Sequence, residues 1–191
     1  MVKPARTEFI LGGQRSGKSR RAEDAACQWL AANPTHSALM LATAQAWDDE
    51  MRLRIARHQA DRAERLPGMR TLEEPRNLAD AISQHSHAHV LIVVDCLTLW
   101  LTHLSMPLDP ADALSDAEVL RANQALCRAI AQAPGPVVLV GNEIGMGVIP
   151  MGREVRHFVD ALGRINQSVA AVCDRVTLMV AGVPLTLKAP A

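Results

Sequence analysis

Apolar positions along this chain follow two rhythms. Short runs of Val, Leu and Ile, namely Phe9-Ile10-Leu11, Ala38 to Thr43, Val90 to Val94, Val137 to Val140 and Val176 to Val180, read as strands. They are near-continuous rather than alternating, the pattern of strands buried on both faces of a parallel sheet. Longer helical patterns separate them: Lys18 to Ala32, closed by Asn33-Pro34; Asp48 to about Arg65, ended by Pro67-Gly68; Asn77 to Gln84; a segment that Pro134 stops; and Val155 to Cys173. Ser115 and Glu118 have capping-box spacing ahead of the fourth helix. Thr186-Leu187 adds a weak edge strand, and Met106 to Ala113, rich in proline and aspartate, reads as the mobile loop. Strands alternating with helices predict an α/β fold, a mainly parallel sheet flanked by helices.

Composition narrows the class. The 191 residues suit one domain that buries roughly 70% of its unfolded surface. With 49% hydrophobic and 21% charged residues the chain is too apolar for disorder. Zero net charge counts against a nucleic-acid partner or a polybasic membrane binder. Cys27, Cys96, Cys127 and Cys173 form no C-x-x-C pair and read as reduced core residues. The apolar run Val90 to Leu101 is broken by Asp95 and too short to span a bilayer. Residues 1–6 hold no stretch suited to a signal peptide. The expectation is a cytoplasmic protein without a membrane anchor.

The first strand runs into Gly12-Gly13-Gln14-Arg15-Ser16-Gly17-Lys18-Ser19, which fits G-x-x-x-x-G-K-[ST] at every fixed position and sits between a strand and a helix. Glycines let backbone N–H groups turn toward phosphate oxygens, and the following helix points its positive end at the same anion. Lys18 supplies charge to the β- and γ-phosphates, and the Ser19 hydroxyl is a Mg²⁺ ligand in such loops. Asp95, ending the Val90–Val94 run, reads as the acidic partner that holds Mg²⁺; a helix cap is the alternative. Glu143 lies past Val137–Val140, on the carboxyl edge where such sheets bind ligands, as a possible substrate contact or base.

Further segments accompany this loop in order: Ala42-Thr43-Ala44-Gln45, Asp48-Asp49-Glu50-Met51 with Arg54-Ile55 and His58, Asp95-Cys96-Leu97-Thr98, Asn142 to Pro150, and Gly163 to Gln167. Together they resemble the bifunctional adenosylcobinamide kinase / adenosylcobinamide-phosphate guanylyltransferase family, over nearly the whole chain. The resemblance implies a RecA-like P-loop core, Mg²⁺, a cytoplasmic homotrimer and two reactions. ATP or GTP phosphorylates adenosylcobinamide; GTP then places GMP on an enzyme histidine, and the cobinamide phosphate takes it to give adenosylcobinamide-GDP. The guanylylated histidine falls on His58. Many relatives carry a second histidine just before it, where this chain has Arg57. Nucleotide contacts are implied at Thr43, Ala44 and Gln45, and guanine-nucleotide contacts at Gln59, Ala60, Asp61, Arg62, Glu73 and Asp95.

The residues themselves are compatible with that role for His58. Glu50, Arg54, His58 and Arg62 recur every four positions on one helical face. A neutral imidazole can attack an α-phosphate, and flanking arginines can bind the charge that develops. A solvated charged stripe is the other reading of the same spacing. His85, His87 and His89 read as a polar loop rather than a metal site, because no carboxylate or thiol completes the set. Trp29, Trp47 and Trp100 read as packing residues and His157 as a surface residue. Asn166 and Gln167 suit a ligand or a subunit contact equally. A simple P-loop kinase, or a RecA-like ATPase acting on a macromolecule, would share the phosphate loop but form no covalent nucleotide.

Overall fold

The computed structural model describes residues 5–45, 49, 52, 53, 56, 60 and 64–190. Its elements are β1 (Thr7–Gly12), α1 (Lys18–Ala32), β2 (Ser37–Ala42), β3 (Met69–Glu73), α2 (Leu78–His85), β4 (Val90–Asp95), α3 (Leu97–Ser105), a 3-10 turn (Pro110–Asp112), α4 (Asp116–Gln132), β5 (Val137–Asn142), α5 (Arg153–Val172), β6 (Arg175–Val180) and β7 (Val183–Lys188). The strands form one sheet in the order β3-β2-β4-β5-β1-β6-β7. Every neighbouring pair is parallel except β6 and β7.

Successive strand residues send their side chains to opposite faces, and both faces are apolar. Phe9, Leu11, Leu39, Leu41, Ile92, Val94 and Leu139 pack with Trp100, Leu126 and Ile165, which belong to α3, α4 and α5. Ile10, Ala38, Met40, Leu91, Val93, Val138 and Val140 pack with Ala22 and Ala26 of α1 and with Leu66. Continuous apolar strands are therefore the mark of a sheet covered on both sides.

Three elements depart from the sequence expectation. β3, Met-Arg-Thr-Leu-Glu, is an outer strand with its last four residues exposed, so it carries no apolar run. α3 starts two residues after β4 ends, and apolar residues on both sides of Asp95-Cys96 hide the change from a period of 2 to 3.6. β7 spans six residues and is exposed throughout. The expected helix from Asp48 falls partly outside the described residues; Asp49, Arg52, Leu53, Ala56, Ala60, Glu64 and Arg65 are helical. Cys96 and Cys173 are buried as expected, whereas Cys27 is exposed, because it lies beyond the Ala22–Ala26 face of α1. Among the described residues, no helix is long and apolar enough to cross a membrane.

Candidate functional site

Parallel strands bring their carboxyl ends to one edge, so the register decides what meets there. Gly12 pairs with Asn142. Ala42 pairs with both Asp95 and Glu73. The edge thus carries, in spatial order, Glu73, Thr43, Asp95, Glu143 and the loop after Gly12.

That loop is shaped by its glycines. Gly12 has φ of 153°, and a Cβ there would fall 2.5 Å from Ser16 Oγ and 2.6 Å from the Met179 carbonyl oxygen. Gly17 has φ of 100° and caps α1 without any side-chain hydrogen bond, and the first turn of α1 holds no acidic residue. The helix N-terminus keeps its backbone donors for an anion and presents no competing carboxylate. By contrast, Ser115 and Glu118 close the N-terminus of α4 in the expected capping box. Gly13, Gln14 and Arg15 are exposed at the loop tip, and Arg15 adopts φ of 55°. Ser16 is buried, with its carbonyl accepting from Gly182 N–H at 3.0 Å.

Lys18 is buried, and its Nζ donates to the Gly13 carbonyl at 2.6 Å. Burial holds its ammonium below the ordinary 10.5, partly offset by the negative charge of Asp95. A cation in that position gains most from a new anion, because it has already given up part of its hydration. Ser19 Oγ donates to Asp95 Oδ2 at 3.3 Å, joining the start of α1 to the end of β4. Hydroxyl and carboxylate are hard oxygen donors, and Mg²⁺ takes only one or two from protein while phosphate and water supply the rest. Ser19 and Asp95 therefore fit a small divalent cation. Among the described residues no group of three or more His, Cys, Asp or Glu forms a self-sufficient metal cage.

Glu143 N–H donates to the Gly12 carbonyl at 3.2 Å, which ties β5 to the loop. Its carboxylate accepts from Gly145 N–H at 3.0 Å and from Asn166 Nδ2 at 3.4 Å. Asn166 is buried and also donates to the Asn142 carbonyl at 3.1 Å. The sequence left Asn166 between a ligand and a subunit contact; in the structure it braces the β5 end. Cys96 is buried beside Asp95, and burial with that neighbouring charge pushes its thiol up to about 11, so it stays a neutral packing group.

The other expected contacts are spread along the edge. Ala44 is half-buried and Gln45 exposed, both just past β2. Thr43 is fully buried, with its hydroxyl bonded to the Cys96 backbone. Glu73 is exposed on β3, four strands from β1, or about 19 Å at the usual interstrand spacing. It sits outside the phosphate cradle. Ala60 is helical and exposed. His58, Gln59, Asp61 and Arg62 lie outside the described residues, as do Arg54, Arg57 and Trp47. Trp100 is buried and donates its indole N–H to the Arg76 carbonyl. Trp29 stacks on His36 at 3.6 Å between ring centres. His157 is exposed and bonds to Asp116. His87 and His89 are exposed, 6.1 Å apart.

Comparison with known proteins follows the same lines. The family model described as cobinamide kinase / cobinamide phosphate guanyltransferase matches residues 8–187. The chain is 45% identical over 181 residues to a bifunctional adenosylcobalamin biosynthesis protein, CobP, of Pseudomonas aeruginosa, covering 95% of this chain and 96% of that one. It is 35% identical to a bifunctional adenosylcobalamin biosynthesis protein, CobU, of Escherichia coli, covering 94% and 98%. Among solved structures, the flagellar accessory protein FlaH of Methanocaldococcus jannaschii has a TM-score of 0.52 at 12% identity, covering 96% of this chain and 78% of that one. A Pyrococcus horikoshii OT3 protein scores 0.55 at 11% identity, covering 98% and 89%. These two carry the fold alone, the RecA-like P-loop arrangement.

Proposed function

This chain belongs to the cobinamide kinase / cobinamide phosphate guanyltransferase family, and from that premise we propose that both reactions run at the carboxyl edge of its sheet. The overall activity is phosphorylation of cobinamide followed by guanylyl transfer to its phosphate, in adenosylcobalamin biosynthesis. The observation that carries the placement is the Ser19–Asp95 contact beside buried Lys18, which unites the phosphate loop with an acidic strand end.

In the first step the backbone N–H groups of residues 12–19 and the N-terminus of α1 hold the triphosphate of ATP or GTP. Lys18 exchanges the Gly13 carbonyl for β- and γ-phosphate oxygens. The aminopropanol hydroxyl oxygen of adenosylcobinamide bonds to the γ-phosphorus while the β–γ bridging oxygen leaves with the nucleoside diphosphate. Glu143, fixed by Gly145 and Asn166, takes the hydroxyl proton. Ser19 and Asp95 are the residues that would hold Mg²⁺, which supplies positive charge against the phosphate oxygens when bound.

In the second step the His58 imidazole attacks the α-phosphorus of GTP and pyrophosphate leaves. The phosphate of cobinamide phosphate then bonds to that phosphorus and the histidine nitrogen departs, giving adenosylcobinamide-GDP. Arg54 and Arg62, four residues either side of His58, are suited to balance the charge that develops. Ala44, Gln45, Gln59, Ala60, Asp61, Arg62, Glu73 and Asp95 make up the nucleotide surface in this proposal, with Glu73 toward the nucleoside because of its distance from the loop; Thr43, expected there from the sequence, is fully buried behind it. A cytoplasmic homotrimer acting without nucleic acid completes it.

The test is product analysis by mass spectrometry after incubation with adenosylcobinamide, Mg²⁺ and GTP. Cobinamide phosphate should appear first and its GDP derivative afterwards. Phosphate transfer with no GDP derivative would reduce the protein to a plain P-loop kinase.

A further inference from the structure

Thr43 binds the Asp95–Cys96 backbone at three points. It follows directly on Ala42, the last residue of β2, whose register partner is Asp95. Its N–H continues the ladder and donates to the Asp95 carbonyl at 3.0 Å. Its hydroxyl then donates to the Cys96 carbonyl at 2.9 Å and accepts from Cys96 N–H at 2.8 Å. Three backbone groups flanking one carboxylate are bound by one residue. Beneath it, the ring of buried His103 hydrogen-bonds to the Thr43 backbone. Thr43 is 0% exposed, so its hydroxyl cannot reach a nucleotide.

We propose that Thr43 is a positioning residue: it fixes the backbone at Asp95–Cys96 and so aims the Asp95 carboxylate at Ser19 and the Mg²⁺–nucleotide. This rests on the reading of Asp95 as the acidic partner of the phosphate loop. Valine has nearly the shape of threonine but no hydroxyl. In its place the buried N–H and C=O of Cys96 lose their partner, and buried backbone groups move to find another. The carboxylate one residue away moves with them.

The measurement is equilibrium binding of a fluorescent, non-hydrolysable ATP analogue with and without Mg²⁺, which needs no turnover. In wild type Mg²⁺ should tighten binding. Thr43→Val should lose about tenfold of that gain while its Mg²⁺-free affinity stays within about twofold, as loss of a residue behind a metal ligand does. Thr43→Ser, which keeps the hydroxyl, should restore the gain. Should Thr43→Val fail to fold, Thr43→Ala against Thr43→Ser makes the same comparison. A Thr43→Val protein with wild-type Mg²⁺ dependence, or with equal losses in both conditions, overturns the proposal. Asp95→Asn separates the two levels. If it abolishes the Mg²⁺ gain and Thr43→Val does not, Thr43 alone is misassigned. If it leaves the gain intact, the Asp95 reading falls and takes the proposal with it.

Discussion

Replacing Gly12 by alanine tests whether the phosphate loop is held by backbone geometry rather than by side-chain chemistry. The added Cβ would meet Ser16 Oγ at 2.5 Å and the Met179 carbonyl oxygen at 2.6 Å. The first is a small hydroxyl that can turn away, but the second is backbone of β6, paired in register with Gly12. A non-glycine residue forced into such a φ costs about 1–3 kcal/mol, and overpacking a close-packed site costs about 1–3 more. The sum, about 2–6 kcal/mol, is a large share of the roughly 5–15 kcal/mol that stabilises a domain. At about 2–4 °C per kcal/mol for a chain of this size, the melting temperature should fall by roughly 4–24 °C. Gly13→Ala is the matched control: a Cβ there meets nothing within 4 Å, and its stability should change by no more than about 0.5 kcal/mol. Thermal unfolding of both variants, with nucleotide binding measured on each, reads the difference. Gly12→Ala melting with Gly13→Ala and binding nucleotide as well would show that the loop does not depend on backbone geometry at Gly12.

Lys18→Ala should lower the rate of phosphoryl transfer by about 10²–10³, because it removes a preorganised charge facing the transferred group; near-normal phosphorylation by folded protein would take the loop out of the mechanism. The same residue sets a pH dependence. Burial lowers the Lys18 pKa from 10.5, so the folded protein releases that proton at lower pH than the unfolded chain does. Its buried charge therefore disfavours the ligand-free fold below the lowered value, and that penalty fades as pH rises from there to 10.5. Phosphate binds the charged form, so nucleotide affinity should fall with rising pH before 10.5 is reached; a Lys18→Ala protein should lack that fall in a binding titration from pH 8 upward.

The phosphate loop was legible because its chemistry constrains identity at fixed spacing: glycine where a Cβ meets backbone, lysine and a hydroxyl at the helix start. The interior strands were legible to within a residue or two, since both faces are apolar. β3 was not, because an outer strand needs no apolar run and its partner β2 lies far along the chain, whereas β7 showed only as the weak edge strand Thr186-Leu187. The α3 start was masked by apolar residues on both sides of Asp95-Cys96. Asp95 itself could be read as an acidic strand end, but the role of Thr43 could not. Its bonds reach across 53 positions, and nothing near residue 43 announces them. Asn166 was ambiguous for the same reason, its partners lying on β5 and just beyond.

In the proposed mechanism one chain uses two nucleophiles, a substrate hydroxyl in the first step and the His58 imidazole in the second. Incubation with α-labelled GTP, followed by denaturation and peptide mapping, tests it most directly. The label should remain on the protein, map to His58, survive alkali and be lost in acid, as a phosphorus–nitrogen bond is. His58→Ala should lose the label and guanylyl transfer while keeping most of the phosphorylation of cobinamide. Label on another residue, or at wild-type level on the His58→Ala protein, would contradict the account.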